Sequence, residues 1–317
     1  MKFDWVRLSV WTSVALLLVV LMLRQFDSSM VAALDRLAAT PFWMWASVLV
    51  LNSIMTAIGA VKWRIMRNWV SPDSTPVDSL TLGAVTAMGS FASLFIPAQL
   101  AHVLVRWWIF RRRQVSRPGV LGSTFFEQVF DLAVYLSAAA LAIVVLLLDL
   151  DGLRLAGAML LGMVLILVGS RVPLVLFIRI AVLLGHARLP DKVRQFMRSA
   201  ETRFRLSETG PVRRLMSLAL ILLVLRVMTV LAIASAISPG VDLVMVAAGV
   251  PAVALLSVLP ITPAGLGIAE WSWAALLAAA GASLPDAAVA ALGFRFVNAA
   301  ALLAVSTLLG ALWQARN

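Results

Sequence analysis

Long apolar runs, separated by short basic or acidic stretches, organise this chain, and their lengths set the first expectations. A helix needs about 20 apolar residues to cross a bilayer. Leu8 to Leu23, Phe42 to Val61, Gly119 to Leu148, Leu155 to Ser170, Leu215 to Ile237 and Ala287 to Leu312 each read as one full span. Two further runs, about 80–110 and 241–281, are too long for one span, and each carries a helix-breaking stretch in its interior. The first contains Ile96-Pro97-Ala98-Gln99-Leu100-Ala101-His102. The second contains Leu259-Pro260-Ile261-Thr262-Pro263-Ala264-Gly265-Leu266-Gly267, with Glu270 three residues further on. Such a cluster of prolines and glycines cannot continue an α-helix. Irregular backbone is not tolerated facing lipid, because its N–H and C=O groups would lack partners. Both runs are therefore expected to enter and return, with their breaks buried in protein or lining a polar cavity; the alternative for the first is a single tilted span with one of its flanking basic clusters outside.

The punctuation sets direction. Lys62-Trp63-Arg64-Ile65-Met66-Arg67 and Arg111-Arg112-Arg113 flank the first broken run, whereas Asp242 and Asp286 flank the second. Basic clusters favour the cytoplasmic side. The two hairpins are thus expected to enter from opposite sides. Only Arg24, Arg36 and Arg154 then fall outside, and Arg106, Arg226 and Arg295 fall in spans or cavity; the rest of the 26 Lys and Arg face inward. Both termini are expected in the cytoplasm and the chain in the cell inner membrane. The expected fold class is an all-α polytopic membrane protein with six full spans and two oppositely oriented re-entrant helical hairpins in an inverted repeat. Its single integral domain, 1–317, divides into 1–40 (first span and interfacial segment), 41–170 (first repeat), 171–214 (cytoplasmic) and 215–317 (second repeat). Within the cytoplasmic part, Val193, Phe196, Met197, Ala200 and Phe204 recur at helical spacing among basic residues. That pattern predicts a helix lying on the membrane surface. Residues 172–184 read either as a partial span or as none. A basic start and apolar core also fit a signal peptide, but Arg24-Gln25-Phe26-Asp27 follows instead of a small-residue cleavage site, so a retained first span is expected.

Composition agrees with the pattern. The chain is 62% hydrophobic and 13% charged, with mean hydropathy +1.00, against about 45–50% and 25% for soluble domains. It has no cysteine, so disulfides and thiolate metal sites are excluded. The net charge of +11 points to anionic lipid at the cytoplasmic face and not to nucleic acid.

Charges inside the apolar runs carry the chemistry, because an intramembrane ionisable residue is costly and marks function by default. Glu127 and Asp131 stand at i and i+4 on one helical face. Glu270, Arg106, Arg226, Arg295 and His102 complete the set. The competing reading is that these groups pair off to satisfy the spans. His102, beside a break, is a group able to titrate near neutral pH, or else a packed, hydrogen-bonded histidine. Pro97-Ala98-Gln99-Leu100-Ala101 and Pro263-Ala264-Gly265-Leu266-Gly267 are similar, as expected of paired broken helices that build a midplane site in inverted-repeat transporters. No metal-ligand spacing, serine elbow or phosphate-cradling loop occurs. No catalytic residue, metal or cofactor is therefore expected.

These residues resemble the lysylphosphatidylglycerol synthase transmembrane-region family, a flippase-like domain of bacterial and archaeal inner-membrane proteins. The second break with Glu270 is similar to the family's Pro-x-x-Pro-Gly-Gly-Leu-Gly-x-x-Glu. Glu127 and Asp131 match its Glu-Arg-x-x-Asp, with Gln128 in place of Arg. Pro97 and Arg106 match Pro-Gly-x-x-Gly-Glu-x-x-x-Arg, with Ala98, Ala101 and His102 replacing the glycines and the Glu. Arg295 matches an Arg of the last span. The resemblance implies movement of a lipid between leaflets. The family's soluble aminoacyl-transferase domain is not expected here. On this reading Arg106 and Arg295 hold an anionic headgroup. Glu270, Glu127 and Asp131 set its charge balance or couple to protons, His102 belongs to the same site, and Pro97, Pro263, Gly265 and Gly267 shape the breaks. An accessory subunit bound to a glycosyltransferase or lipid-synthesis partner, or a membrane-embedded lipid-modifying enzyme, stands as the alternative.

Overall fold

The structure is a computed structural model that describes residues 30–70, 76–96, 98–110, 117–147, 209–258 and 266–316, with isolated positions at 20, 21, 24 and 162. The described residues form α1 (Met30–Ala38), α2 (Phe42–Val70), α3 (Ser79–Ala92), α4 (Ala98–Phe110), α5 (Arg117–Leu147), α6 (Thr209–Ile237), α7 (Leu243–Val258), α8 (Ile268–Ala279) and α9 (Leu284–Arg316), with no strand among them. Four helices, α2, α5, α6 and α9, are long and apolar enough to cross a membrane, and α3, α4, α7 and α8 are shorter apolar helices. The expected spans Leu8–Leu23 and Leu155–Ser170, segment 172–184 and the amphipathic helix within 191–208 lie outside the described residues.

The four short helices form two pairs. Each pair starts on an aspartate. The Asp78 carboxylate accepts from the Thr81 N–H at 2.9 Å and from the Thr81 hydroxyl at 2.7 Å. The Asp242 carboxylate accepts from the N–H groups of Val244 at 2.9 Å and Met245 at 3.2 Å. An acidic cap satisfies amides that a helix start leaves without partners. Each pair also folds back on itself. Leu82 and Val85 of α3 pack with Ile109 and Phe110 at the far end of α4. The Asp242 N–H donates to Ala280 O at 2.8 Å, stitching the start of α7 to the end of α8. Close approach within each pair uses one glycine. A Cβ on Gly89 of α3 would stand 2.5 Å from His102 Nδ1 on α4, and one on Gly249 of α7 would meet Leu276 of α8.

The element order long–short–short–long therefore occurs twice, as α2–α5 and as α6–α9. The packing repeats with it. α9 packs on α3 as α5 packs on α7; α4 on α5 as α8 on α9; α2 on α9 as α6 on α5; and α2 packs directly on α6. The α2 and α6 helices run in opposite directions, since Arg36 and Leu37, just before α2, meet the end of α6. There the Arg36 guanidinium donates to Ile237 O at 3.3 Å, and Gly293 lies against Leu37 and Ile237.

The two short-helix pairs have their bases at opposite ends of α9. Asp286, in its first turn, is ion-paired with Arg36 beside the α7–α8 base. At its other end Arg316 reaches Asp78 at 3.7 Å, and Trp313 packs on the α3–α4 base. The 33 residues of α9 span roughly 50 Å at 1.5 Å per residue. The Asp242 and Asp286 pattern, read from sequence as an acidic outer flank, is thus also a cap and an ion-pair partner.

This geometry predicts a labelling pattern, and the cysteine-free chain gives no background. A cysteine at exposed Ser283 is expected to react with a membrane-impermeant maleimide from one side of sealed vesicles. Cysteines at Ser79 and Gln314 are expected to react only from the other side. Reaction of all three from a single side would contradict the opposed bases.

Candidate functional site

Two ion pairs join short helices to long ones, and a third joins two long helices. Arg106 on α4 reaches Glu127 on α5 at 2.5 Å and donates to the Thr124 hydroxyl at 3.0 Å. Its guanidinium lies 4.4 Å from the centre of the Trp63 ring, and only 1% of the side chain is exposed. Arg295 on α9 reaches Glu270 on α8 at 2.6 Å. Lys62 on α2 pairs with Asp131 on α5. The α4–α5 and α8–α9 pairs occupy equivalent places in the two halves with the signs exchanged: cation on α4, anion on α8.

Glu270 does two things at once. One oxygen meets Arg295, and the other accepts from the Gly267 N–H at 2.6 Å. Gly267 sits at φ +84° just before α8, a conformation that side chains with a Cβ rarely adopt. The break thus frees an amide, and the carboxylate of the following turn takes it up.

Glu127, Asp131, Glu270 and Arg295 line one cavity of about 410 Å³ to which every helix from α2 to α9 contributes. Its ionisable lining is Glu127, Asp131 and Tyr135 on α5, His102 on α4, Arg226 on α6, Glu270 on α8 and Arg295 on α9, with Asn52 and Asn298 beside them. The His102 Nδ1 is buried and has no hydrogen-bond partner among the described residues. An apolar groove of about 490 Å³ between α2, α3 and α9 adjoins the cavity, and Thr56 lines both.

Most of the residues singled out in the sequence converge here. His102, Glu127, Asp131, Glu270 and Arg295 line the cavity, and Gly267 supports Glu270. Arg106 does not line it; the structure holds this residue behind Glu127, so it is not placed to grip a headgroup. Pro97, Pro263 and Gly265 lie outside the described residues. Lys62 and Trp63 correct the sequence reading. They were expected at a basic, aromatic exit from the membrane, yet both side chains are fully buried. The α2 helix continues to Val70, past the expected end of the span at Val61. The physical reason is that a Lys-Trp-Arg run signals an interface only where the lysine has no better partner, and here Asp131 supplies one. The acid pair at Glu127 and Asp131 is a signal for two buried cations, which the structure supplies as Arg106 and Lys62.

Long apolar helices, paired short helices and a charged cavity enclosed among them define a polytopic helical membrane protein. The chain belongs to the family described as the lysylphosphatidylglycerol synthase TM region, which matches residues 6–306. No curated protein matches the chain.

Removing one partner of a buried ion pair costs about 3–5 kcal/mol, whereas replacing both with neutral groups is often tolerated. Lys62→Met is therefore expected to lower the melting temperature in detergent markedly, with Asp131, partly open to the cavity, limiting the loss to the lower part of that range. Adding Asp131→Asn is expected to recover most of it. Equal melting of wild type and Lys62→Met would show that the pair contributes no stability.

Proposed function

We propose that this protein moves a lipid, a phospholipid or lipid-linked intermediate with an anionic headgroup, between the leaflets of the cell inner membrane. The observation that carries this reading is the juxtaposition of a polar, charge-lined cavity with an apolar groove that shares Thr56 with it. A lipid is a molecule of that division, with the headgroup in the cavity and a chain in the groove. Membership of a membrane family that is often flippase-like supports it.

On this reading the two short-helix pairs are re-entrant hairpins, entering from opposite faces as the halves of an inverted repeat. Their bases at opposite ends of α9 support this arrangement. Both termini lie on the cytoplasmic side, where the basic clusters belong. Rocking of one half against the other would open the cavity to each leaflet in turn. Arg295 meets the headgroup, and Glu270 governs how much of the positive charge on Arg295 is available to it. The carboxylates offset the cations paired with them when the cavity is empty.

Glu270→Gln tests the reading. The amide oxygen can still accept from Gly267, so the fold is expected to survive, but Arg295 loses its counter-charge. Headgroup release then slows, and translocation in reconstituted vesicles is expected to fall by about tenfold or more, equivalent to about 1.4 kcal/mol on the barrier. Glu270→Asp is expected to keep part of the activity. Normal translocation per folded Gln variant, with lowered thermal stability alone, would reduce Glu270 to a structural partner.

A further inference from the structure

We infer that Arg226 is the headgroup anchor of the cavity and that the cavity selects a phosphodiester head carrying one net negative charge. This rests on the lipid-moving reading and specifies its substrate. The inference starts from the charges around the cavity. Three carboxylates line it, and each has its own cation: Glu127 has Arg106, Asp131 has Lys62 and Glu270 has Arg295. Arg226 is the one further cation in the lining, and it makes no ion pair among the described residues. The Tyr135 ring centre lies 5.6 Å from its guanidinium carbon. With His102 counted as neutral, the described lining and its paired cations leave a surplus of one positive charge.

The position of Arg226 makes this surplus significant. Leu222, Arg226, Thr229, Val230 and Ile233 form the cavity-facing stripe of α6. Arg226 lies 11 residues before the end of α6 at Ile237, roughly 16 Å along the axis. Snorkelling to the interface does not reach that far without crossing apolar surface. A guanidinium at such depth needs a polar cavity or an anion. Ile221, Val224 and Met228, on the opposite face of α6, are exposed apolar side chains, so α6 turns Arg226 to the cavity and an apolar surface that acyl chains would cover to the other side. The guanidinium fork matches two phosphate oxygens in one plane. A single phosphodiester neutralises the surplus; a phosphomonoester dianion overshoots it, and a zwitterionic head leaves it unchanged.

The test uses the full chain in detergent, loaded from equal mixtures of phosphatidylglycerol and phosphatidylethanolamine, with retained lipid counted by native mass spectrometry. Wild type is expected to retain phosphatidylglycerol preferentially. Arg226→Met is expected to lose about tenfold of that preference, the scale of one charge-assisted hydrogen bond, and Arg226→Lys to keep part of it. Asn298→Asp leaves Arg226 in place and adds a carboxylate to the same lining, so it is expected to abolish the preference by neutralising the surplus. It reports even where Arg226→Met does not fold. Undiminished preference in either folded variant, Arg226→Met or Asn298→Asp, overturns the inference. Translocation in vesicles of the same two lipids separates this site from the reading beneath it. Lipid movement that is indifferent to Arg226→Met sinks the anchor and leaves transport standing. Arg226-dependent retention of phosphatidylglycerol without movement by wild type keeps the anchor and sinks transport.

Discussion

Charge neutralisation inside an apolar bundle is the constraint on which the rest of this structure depends. Each short-helix pair is tied to the long helix that follows it by a buried ion pair, Arg106–Glu127 in one half and Arg295–Glu270 in the other. An unpaired buried charge costs several kcal/mol. These pairs therefore fix which face of α4 meets α5 and which face of α8 meets α9. Lys62–Asp131 adds a third tie, from α2 to α5. The cavity lies where these ties converge, because polar side chains drawn inward by one another leave space that apolar packing does not fill.

The repeat distributes this chemistry evenly without copying it. Both short-helix pairs start on an aspartate cap and use a glycine for close approach, yet the ion-pair signs are exchanged between them. Equivalent packing needs only matching shapes and lengths, whereas neutrality needs one cation for each anion in either order. That freedom lets the two halves diverge in charge while keeping the same helix contacts. It also leaves room for one extra cation, Arg226, on a face that the repeat does not otherwise constrain.

Close packing at the glycines and buried hydroxyl groups supports the same arrangement. Ser306 on α9 donates to Ala87 O on α3 at 2.9 Å, and Trp63 donates to the Ser123 hydroxyl at 3.2 Å. Small and polar residues at helix contacts are the usual means of association where the surroundings are as apolar as the side chains. An aromatic beside basic residues ordinarily marks a membrane interface. Trp63 instead forms the lid of the Arg106 guanidinium, a role that depends on α4 being folded against α2.

The sequence by itself determined the helical membrane class, the two broken runs and their breaks, and the intramembrane acids. Expected runs of about 80–110 and 241–281 became α3–α4 and α7–α8; the Gly267 start of α8 falls inside the second expected break, whereas the turn at 93–96 lies mostly before the first, whose residues from Ala98 to His102 are helical in α4. These features are local: hydropathy over one span length, and prolines and glycines that break a helix wherever they stand. Partner choice was not local. Asp131 lies 69 positions from Lys62 and Glu127 lies 21 from Arg106. Nothing in a one-dimensional pattern distinguishes a lysine that ends a span from one that enters the bundle to meet a carboxylate. Only the tertiary structure decided that Arg106 pairs with Glu127, that Lys62 is buried and that Arg226 makes no ion pair among the described residues. The energy of a charge in this environment depends on what stands within a few ångströms of it, and that is set by the packing of helices remote in sequence.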